Sequence, residues 1–581
     1  MIRMRLIQIL LFVTASSSFG QILFEDEASL RGLDITTPSD GNGLGISFVD
    51  YDNDGLDDLT IPSRGNQELK FYKNFGGFFV KQDLILPPIT YPTRSISWVD
   101  YDNDGDKDLF VVSDSHGNRL FNRNSSGNFV DVTLSSGLFT DNVFTYSVSW
   151  GDIQNDGCLD LFFSNRTTNT LFPNFLFKNN CDGTFTNVSS LAGISSESRL
   201  TFGASFFDYN KDGFQDIYLI NDKSFSNRLY KNNGDSTFTD VSALTGAGIT
   251  ADAMSVTIDD YNSDGFLDIY ITNTDIIYAD SNRIPGNILL KNVDGNHFED
   301  VSAESSVDLF GWCWGANFLD ADNDSDLDLY VSCLYVTPPS IDSYGFFENS
   351  NLNQFHLPSS IAFLQNNYNS YGCAVGDVNS DGKVDIAVIN DSASIPNIWI
   401  NKTLNDNNYL AIDLEGTAAN KDGVGSLIEV TISGDRQYRY ILNGEGYISQ
   451  NSFIEYFGLG DASIVDELKI TWLSGTVDIF YNIAANQTLN IVEGSSSTLS
   501  ANGLSREFLH IYPNPAIDTT NISSYSIINT VILYNSFGQE VYSKEVNSKS
   551  IKLDLLDFMS GIYFLKISTD KSTIVKKIIK Q

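Results

Sequence analysis

A chain of 581 residues is too long for one hydrophobic core, and its 42% hydrophobic and 13% aromatic content excludes a disordered polymer. A formal charge of −39 excludes the basic face that nucleic acid demands and argues against electrostatic docking to anionic lipid.

In chain order, residues 1–20 read as a secretory signal peptide. Arg3 and Arg5 give a basic start, residues 6–13 an apolar run and residues 16–20 a small-residue exit. The run is too short to span a bilayer, and no later stretch is long enough, so a transmembrane segment is not expected.

Residues 100–109, DYDNDGDKDL, carry the pattern around which the chain is organised. Asp100, Asp102, Asp104 and Asp108 stand at loop positions one, three, five and nine, with Gly105 free to turn at φ > 0. Carboxylates this close repel one another unless a cation joins them. Oxygen-only ligands on a tight loop suit Ca²⁺, which accepts six to eight of them. The pattern recurs from Asp50, Asp100, Asp152, Asp208, Asp260, Asp320 and Asp377, at steps of 50, 52, 56, 52, 60 and 57 residues. A period of that size means a repeat architecture.

The expected ligands, in loop order, are Asp50, Asp52, Asp54 and Asp58; Asp100, Asp102, Asp104 and Asp108; Asp152, Gln154, Asp156 and Asp160; Asp208, Asn210, Asp212 and Asp216. They continue with Asp260, Asn262, Asp264 and Asp268; Asp320, Asp322, Asp324 and Asp328; and Asp377, Asn379, Asp381 and Asp385. Leu56, Asp106, Cys158, Phe214, Phe266, Asp326 and Lys383 would add a seventh-position backbone carbonyl. Up to seven Ca²⁺ ions are expected, held least well at the third loop, where Gln154 is the longest substitute. Ser325 replaces the sixth-position glycine of the other loops and carries the strain of a non-glycine residue at φ > 0. An EF-hand is excluded, because the twelfth positions are Ile61, Val111, Phe163, Leu219, Ile271, Val331 and Val388 where that motif needs Glu.

Each repeat reads as four short strands around the loop and an Asn/Asp/Gly hairpin. Phe48, Trp98, Trp150, Phe206, Ile258, Phe318 and Val375 are expected to form the core between repeats. The segment ILFEDEASLRGL near the start resembles the ends of other repeats, and the last repeat stops at NIWINKT without one. The two absences complement each other, as they would in a ring whose first strand completes its last sheet. The fold class is therefore all-β: a seven-bladed β-propeller over residues 22–403, followed by two small β-sandwich domains.

The loop pattern resembles the FG-GAP/VCBS repeats of integrin α-subunit-type propellers, which implies a Ca²⁺ between the first two strands of each blade. Residues 409–493, with DGVGSLIEV, NGEGYISQNS, YFGLGD and ITWLSGTVDIFYNI, resemble the ASPIC/UnbV domain, and no catalytic role is carried over from that resemblance. Residues 494–507 read as a linker. Residues 508–581, with IYPNP, LYNSFGQEVY and SGIYFLKIS, resemble the type IX secretion C-terminal sorting domain. That resemblance implies a partner in the secretion machinery and a mature protein released from the cell or held on its surface.

The five cysteines, Cys158, Cys181, Cys313, Cys333 and Cys373, are few and odd in number, so they are expected as small packing residues rather than a disulfide framework. Cys158 and Cys181 share one repeat and are the pair that could be bridged. Together these features point to a Ca²⁺-stabilised binding or adhesion module for an extracellular glycan or protein, with residues 332–356 offering aromatics and prolines for contact. The alternatives are a Ca²⁺-dependent polysaccharide lyase and a passive surface protein. Against the lyase stand the lack of a visible cluster of base and cation for a uronate and the absence of GxSxG, Walker and HExxH motifs.

Overall fold

The computed structural model describes residues 21–33, 43–63, 68–274, 283–336, 345–349, 354–358, 362–363, 369–390, 395–498, 509–512, 514–535, 539–556, 558–569 and 573–580. The expected signal peptide lies outside them, as do residues 337–344 and 350–353 of the expected contact segment. Two compact units emerge, residues 1–486 and 487–581.

The first unit is built of β-strands, because β-branched and aromatic residues alternate between Asn, Asp and Gly turns. Sheet one contains Ser47–Val49, Asp58–Ile61, Lys70–Asn74 and Phe79–Gln82, paired antiparallel in that order. Sheets two to five repeat this arrangement, starting from Ser95–Val99, Thr145–Gly151, Thr201–Phe207 and Ala253–Asp259. Sheet six starts at Gly311–Leu319 and has three strands among the described residues. Sheet seven takes three strands, Ser370–Gly376, Asp385–Asn390 and Asn397–Asn401, from its own repeat. Its fourth is Phe24–Asp26, in the register Phe24 with Asn401 and Asp26 with Trp399.

The first strands of successive sheets touch one another, and the first strand of sheet seven touches that of sheet one. Small residues permit this approach: a Cβ on Gly151 would lie 2.5 Å from the Phe206 ring and one on Gly376 2.7 Å from Phe48. Phe48, Trp98, Trp150 and Phe206 are fully buried here, and Val375 is partly so. The indole of Trp150 donates to Ser97 Oγ (3.1 Å) and that of Trp98 to Thr60 Oγ1 (3.0 Å), so each ring is fixed to the preceding sheet.

Residues 408–486 form strand pair Asn408–Glu415 with Glu455–Gly460, and a second sheet ordered Asp435–Tyr440, Leu427–Ile432, Ile464–Thr471, Val477–Ala484. Between these strands, residues 443–452 (NGEGYISQNS) run among the seven sheets. Asn443 O accepts from Trp150 N (2.9 Å), Gly446 N donates to Val256 O (2.7 Å), Gln450 O accepts from Phe48 N (2.9 Å) and Ser452 N donates to Val375 O (3.0 Å). Gln450 Oε1 accepts from Trp98 N, Asn451 Nδ2 donates to Asn317 Oδ1, and Tyr447 packs on Phe202. One segment thus reaches the first strand of every sheet and pairs backbone groups that would otherwise be buried without partners. Gly444 is required there, since it sits at φ +108 and a Cβ would meet Ser149 Cα at 2.6 Å.

The second unit has a sheet of Leu509–Tyr512, Thr519–Asn535, Gly561–Thr569 and Thr573–Lys580, with Glu540–Asp554 also paired to the long Thr519–Asn535 strand. Ile522, Val531, Leu533, Leu553, Leu565 and Ile578 form its core.

The expectation of five unbridged cysteines is corrected in two places. Cys158 joins Cys181, and Cys313 joins Cys333, leaving Cys373 free and buried. Antiparallel register places Cys313 directly opposite Cys333, 4.1 Å apart at Cα. Counting cysteines could not reveal that register, because bridgeable positions 20 residues apart in sequence become neighbours only once the hairpin is paired.

Candidate metal centres

All seven loops share one backbone frame. The first-position aspartate accepts the fifth-position N–H on Oδ1 at 3.0–3.2 Å. Its Oδ2 accepts the sixth-position N–H at 2.6–2.9 Å. The ninth-position aspartate opens the second strand and accepts, at 2.7–2.8 Å, the N–H of the residue ending the third or, in sheet six, of Asn349 two residues beyond it. Glycine fills the sixth position at φ between 81 and 94 in six loops, and Ser325 adopts φ 89 in the other.

These bonds bring the expected side chains together but leave several oxygens over. In the first loop Asp52 Oδ1 and Asp58 Oδ2 are buried without a hydrogen-bond partner; in the second, Asp102 Oδ1, Asp106 Oδ1 and Asp108 Oδ2 are. Asp58 and Asp108 are 1% and 0% exposed, so water does not serve those oxygens freely. Carboxylate oxygens of Asp50, Asp52 and Asp58, of Asp100, Asp102 and Asp108, and of Asp320, Asp322 and Asp328 converge to within 4.8 Å of one another. These are the three loops with aspartate at positions one, three, five and nine. A buried carboxylate oxygen with no donor and other carboxylates beside it fits a hard cation.

Electrostatics agree. Burial foremost, with neighbouring carboxylates adding, pushes Asp50, Asp152 and Asp208 up to about 6 and Asp100, Asp260 and Asp377 up to about 7. Asp58 and Asp108 rise to about 9. Burial also drives Asp160, Asp216, Asp268, Asp320, Asp328 and Asp385 well above the ordinary carboxylate range. A bound divalent ion would reverse the sign of this field and hold the carboxylates ionised.

The loops differ in how they are closed. The third-position Gln154 keeps both amide atoms buried without a partner, whereas Asn210, Asn262 and Asn379 donate to Asp212, Asp268 and Asp381, Asn379 leaving its Oδ1 unpartnered. Of the seventh-position residues, Cys158 is disulfide-bonded to the hairpin of its own sheet, and Phe214 and Phe266 stand over hairpin residues Gly234 and Gly295. Lys383 reaches Thr403 O instead.

Two sets of contacts were missed in the sequence. The asparagine at the end of a third strand, or just beyond it in sheet six, donates through Nδ2 to the second-position carbonyl of the preceding loop. The pairs are Asn74 to Val378, Asn179 to Tyr101, Asn232 to Ile153, Asn292 to Tyr209, Asn349 to Tyr261 and Asn401 to Ala321, at 2.7–3.3 Å. Arg123 fills the same role toward Tyr51 O at 2.9 Å. Separately, Asn53, Asn103, Asn155 and Asn323, all at φ 58, donate to the sixth-position carbonyl of the following loop. The KN before the second hairpin of sheets one, three, four and five, and the Asn at the fourth loop position, were the available signals.

Comparison with known proteins falls along the same divisions. Residues 50–111, 100–163 and 208–271 match the family described as FG-GAP-like repeat, residues 416–498 match ASPIC and UnbV, and residues 510–581 match the Secretion system C-terminal sorting domain. Cartilage acidic protein 1 of Xenopus tropicalis is 24% identical over 372 residues, 60% of this chain and 54% of that protein. Beta-agarase A of Zobellia galactanivorans is 32% identical over 121 residues, 20% of this chain and 21% of that protein. The chain thus spans about half the length, or less, of these relatives. Among solved structures, the V. cholerae biofilm matrix protein Bap1 aligns over 94% of this chain and 84% of that one, at 11% identity and a TM-score of 0.30. The sorting domain indicates secretion to the cell surface, and among the described residues no helix is long and apolar enough to cross a membrane.

Proposed function

For an all-β chain carrying FG-GAP-like repeats, an ASPIC and UnbV segment and a type IX sorting domain, we propose a closed seven-bladed propeller, held by Ca²⁺, that binds an extracellular glycan or protein at the cell surface. The observation that carries this reading is the set of donor-less buried carboxylate oxygens at Asp58 and Asp108, within loops of one repeating frame. The Phe24–Asp26 strand in sheet seven and the Asn74 bond to Val378 O support closure. Asp50, Asp52 and Asp58, with their counterparts in the second and sixth loops, would hold the ions. Bound Ca²⁺ supplies charge neutralisation and fixes the loops that join first and second strands; the asparagine bonds, and that of Arg123 in sheet two, already tie each sheet to the one before it.

A polysaccharide-active enzyme is the second reading, favoured by the 121-residue likeness to beta-agarase A. Incubating the purified chain with a glycan array, and in parallel with agar and acidic polysaccharides, separates the two. Retention that is lost in chelator, without new reducing ends or unsaturated products, is expected. Release of such products at a rate that scales with enzyme concentration would contradict the binding reading.

A further inference from the structure

The seven loops are not equivalent on their third-strand side. The residue facing each loop there, just before the strand-ending position, is Lys73, Lys178, Lys231 and Lys291 in sheets one, three, four and five. Each ammonium approaches the fifth-position carboxylate of its own loop: Lys73 to Asp54 at 2.8 Å, Lys178 to Asp156 at 3.7 Å, Lys231 to Asp212 at 3.1 Å and Lys291 to Asp264 at 3.8 Å. In sheet two the same position is Asn122, an uncharged donor to Asp102 Oδ2 at 2.8 Å. In sheet six it is Glu348, a partly buried carboxylate with His356 Nε2 3.7 Å away.

Resting on the calcium reading above, we propose that these third-strand residues grade the loops. Lys178, Lys231 and Lys291 act as built-in counter-ions that leave the third, fourth and fifth loops weak for Ca²⁺, whereas the second and sixth loops are the tight sites and Glu348 adds a carboxylate to the sixth. A divalent ion entering beside a lysine must displace the ammonium or bear its repulsion, and both weaken binding. The leftover oxygens fall into the same division. The second loop leaves three buried carboxylate oxygens without a partner and the sixth leaves one, at Asp326, whereas among the described residues no carboxylate oxygen of the third, fourth or fifth loop is in that state. The first loop combines leftover oxygens with Lys73, and the seventh has Ile400 at the position, so both fall between the two groups.

The test is Ca²⁺ titration of the metal-stripped full chain by calorimetry, repeated with Tb³⁺ luminescence. Tight binding at the second and sixth loops is expected, with the third to fifth loops weaker by about tenfold or more. Asp102→Asn and Asp322→Asn should each delete one tight ion. Replacing Lys178, Lys231 and Lys291 with Met keeps the apolar stems and should tighten the weak set about tenfold without altering the tight ions. These lysines are about one-third exposed, so the variants are expected to fold even where an aspartate variant does not. Seven equivalent ions, or a weak set indifferent to the lysine substitutions, would overturn the grading while leaving the calcium reading intact. Failure to bind Ca²⁺ at any loop would overturn both.

Discussion

The second and third loops have the same backbone and different closures. In both, the first aspartate caps the fifth and sixth N–H groups and the ninth anchors the end of the third strand. The second then presents carboxylates with unpartnered oxygens, next to Asp422, which accepts from Asp100 N and pairs with Lys107. The third replaces one carboxylate with Gln154, brings Lys178 near Asp156 and ties Cys158 to Cys181. The turn is therefore specified by backbone hydrogen bonds, and a few side chains separately decide whether it keeps unpartnered carboxylate oxygens, as in the second loop, or is tied by a disulfide, as in the third.

The largest expected effect breaks the second loop. In excess chelator Asp108 has a folded pKa of about 9, far above the ordinary carboxylate value of 3.8, and Asp100 one of about 7. A raised folded pKa gives stability that is fully present below about pH 4 and is lost as pH rises through about 7 to 9. The metal-free chain should therefore melt at a lower temperature at pH 8 than at pH 5. Saturating Ca²⁺, which needs ionised carboxylates, should reverse that order and raise the pH 8 midpoint by about 10 °C. Scanning calorimetry at the two pH values, with and without Ca²⁺, checks both signs.

The next effect breaks the third loop. Cys158→Ala with Cys181→Ala should cost about 3 kcal/mol by chain entropy, equally with and without Ca²⁺. Denaturant unfolding in both conditions measures it, and a cost that vanishes in Ca²⁺ would show that the metal and the disulfide do the same job. Asn179→Ala strands the carbonyls of Tyr101 and Leu159 and should cost about 1–3 kcal/mol by the same assay. The smallest effect makes the third loop resemble the second: Gln154→Asp should raise its Ca²⁺ affinity about tenfold, read by calorimetric titration.

Much of this was legible in the sequence because period and residue type repeat together. Alternating acidic or amide residues, a glycine or Ser325 at the turn and an apolar run located every loop, and the unmatched end segments anticipated the pairing of Phe24–Asp26 with Asn397–Asn401. What escaped notice depends on neighbours far apart in sequence. Asn74 looks like a hairpin residue until its partner, Val378 O, is found 304 residues away. The glycines of NGEGYISQNS read as turn chemistry, yet Gly444 lies against Ser149 because the segment enters the space between the sheets. Lys73 and Lys231 look like ordinary strand-exposed charges until the hairpin brings each beside its own loop.

The most direct test is anomalous diffraction from crystals of the full chain grown in Ca²⁺. Peaks within coordination distance of Asp100, Asp102 and Asp108 are predicted, with a weaker peak or none at the third loop. A well-ordered second loop without a peak at saturating Ca²⁺ would contradict the account.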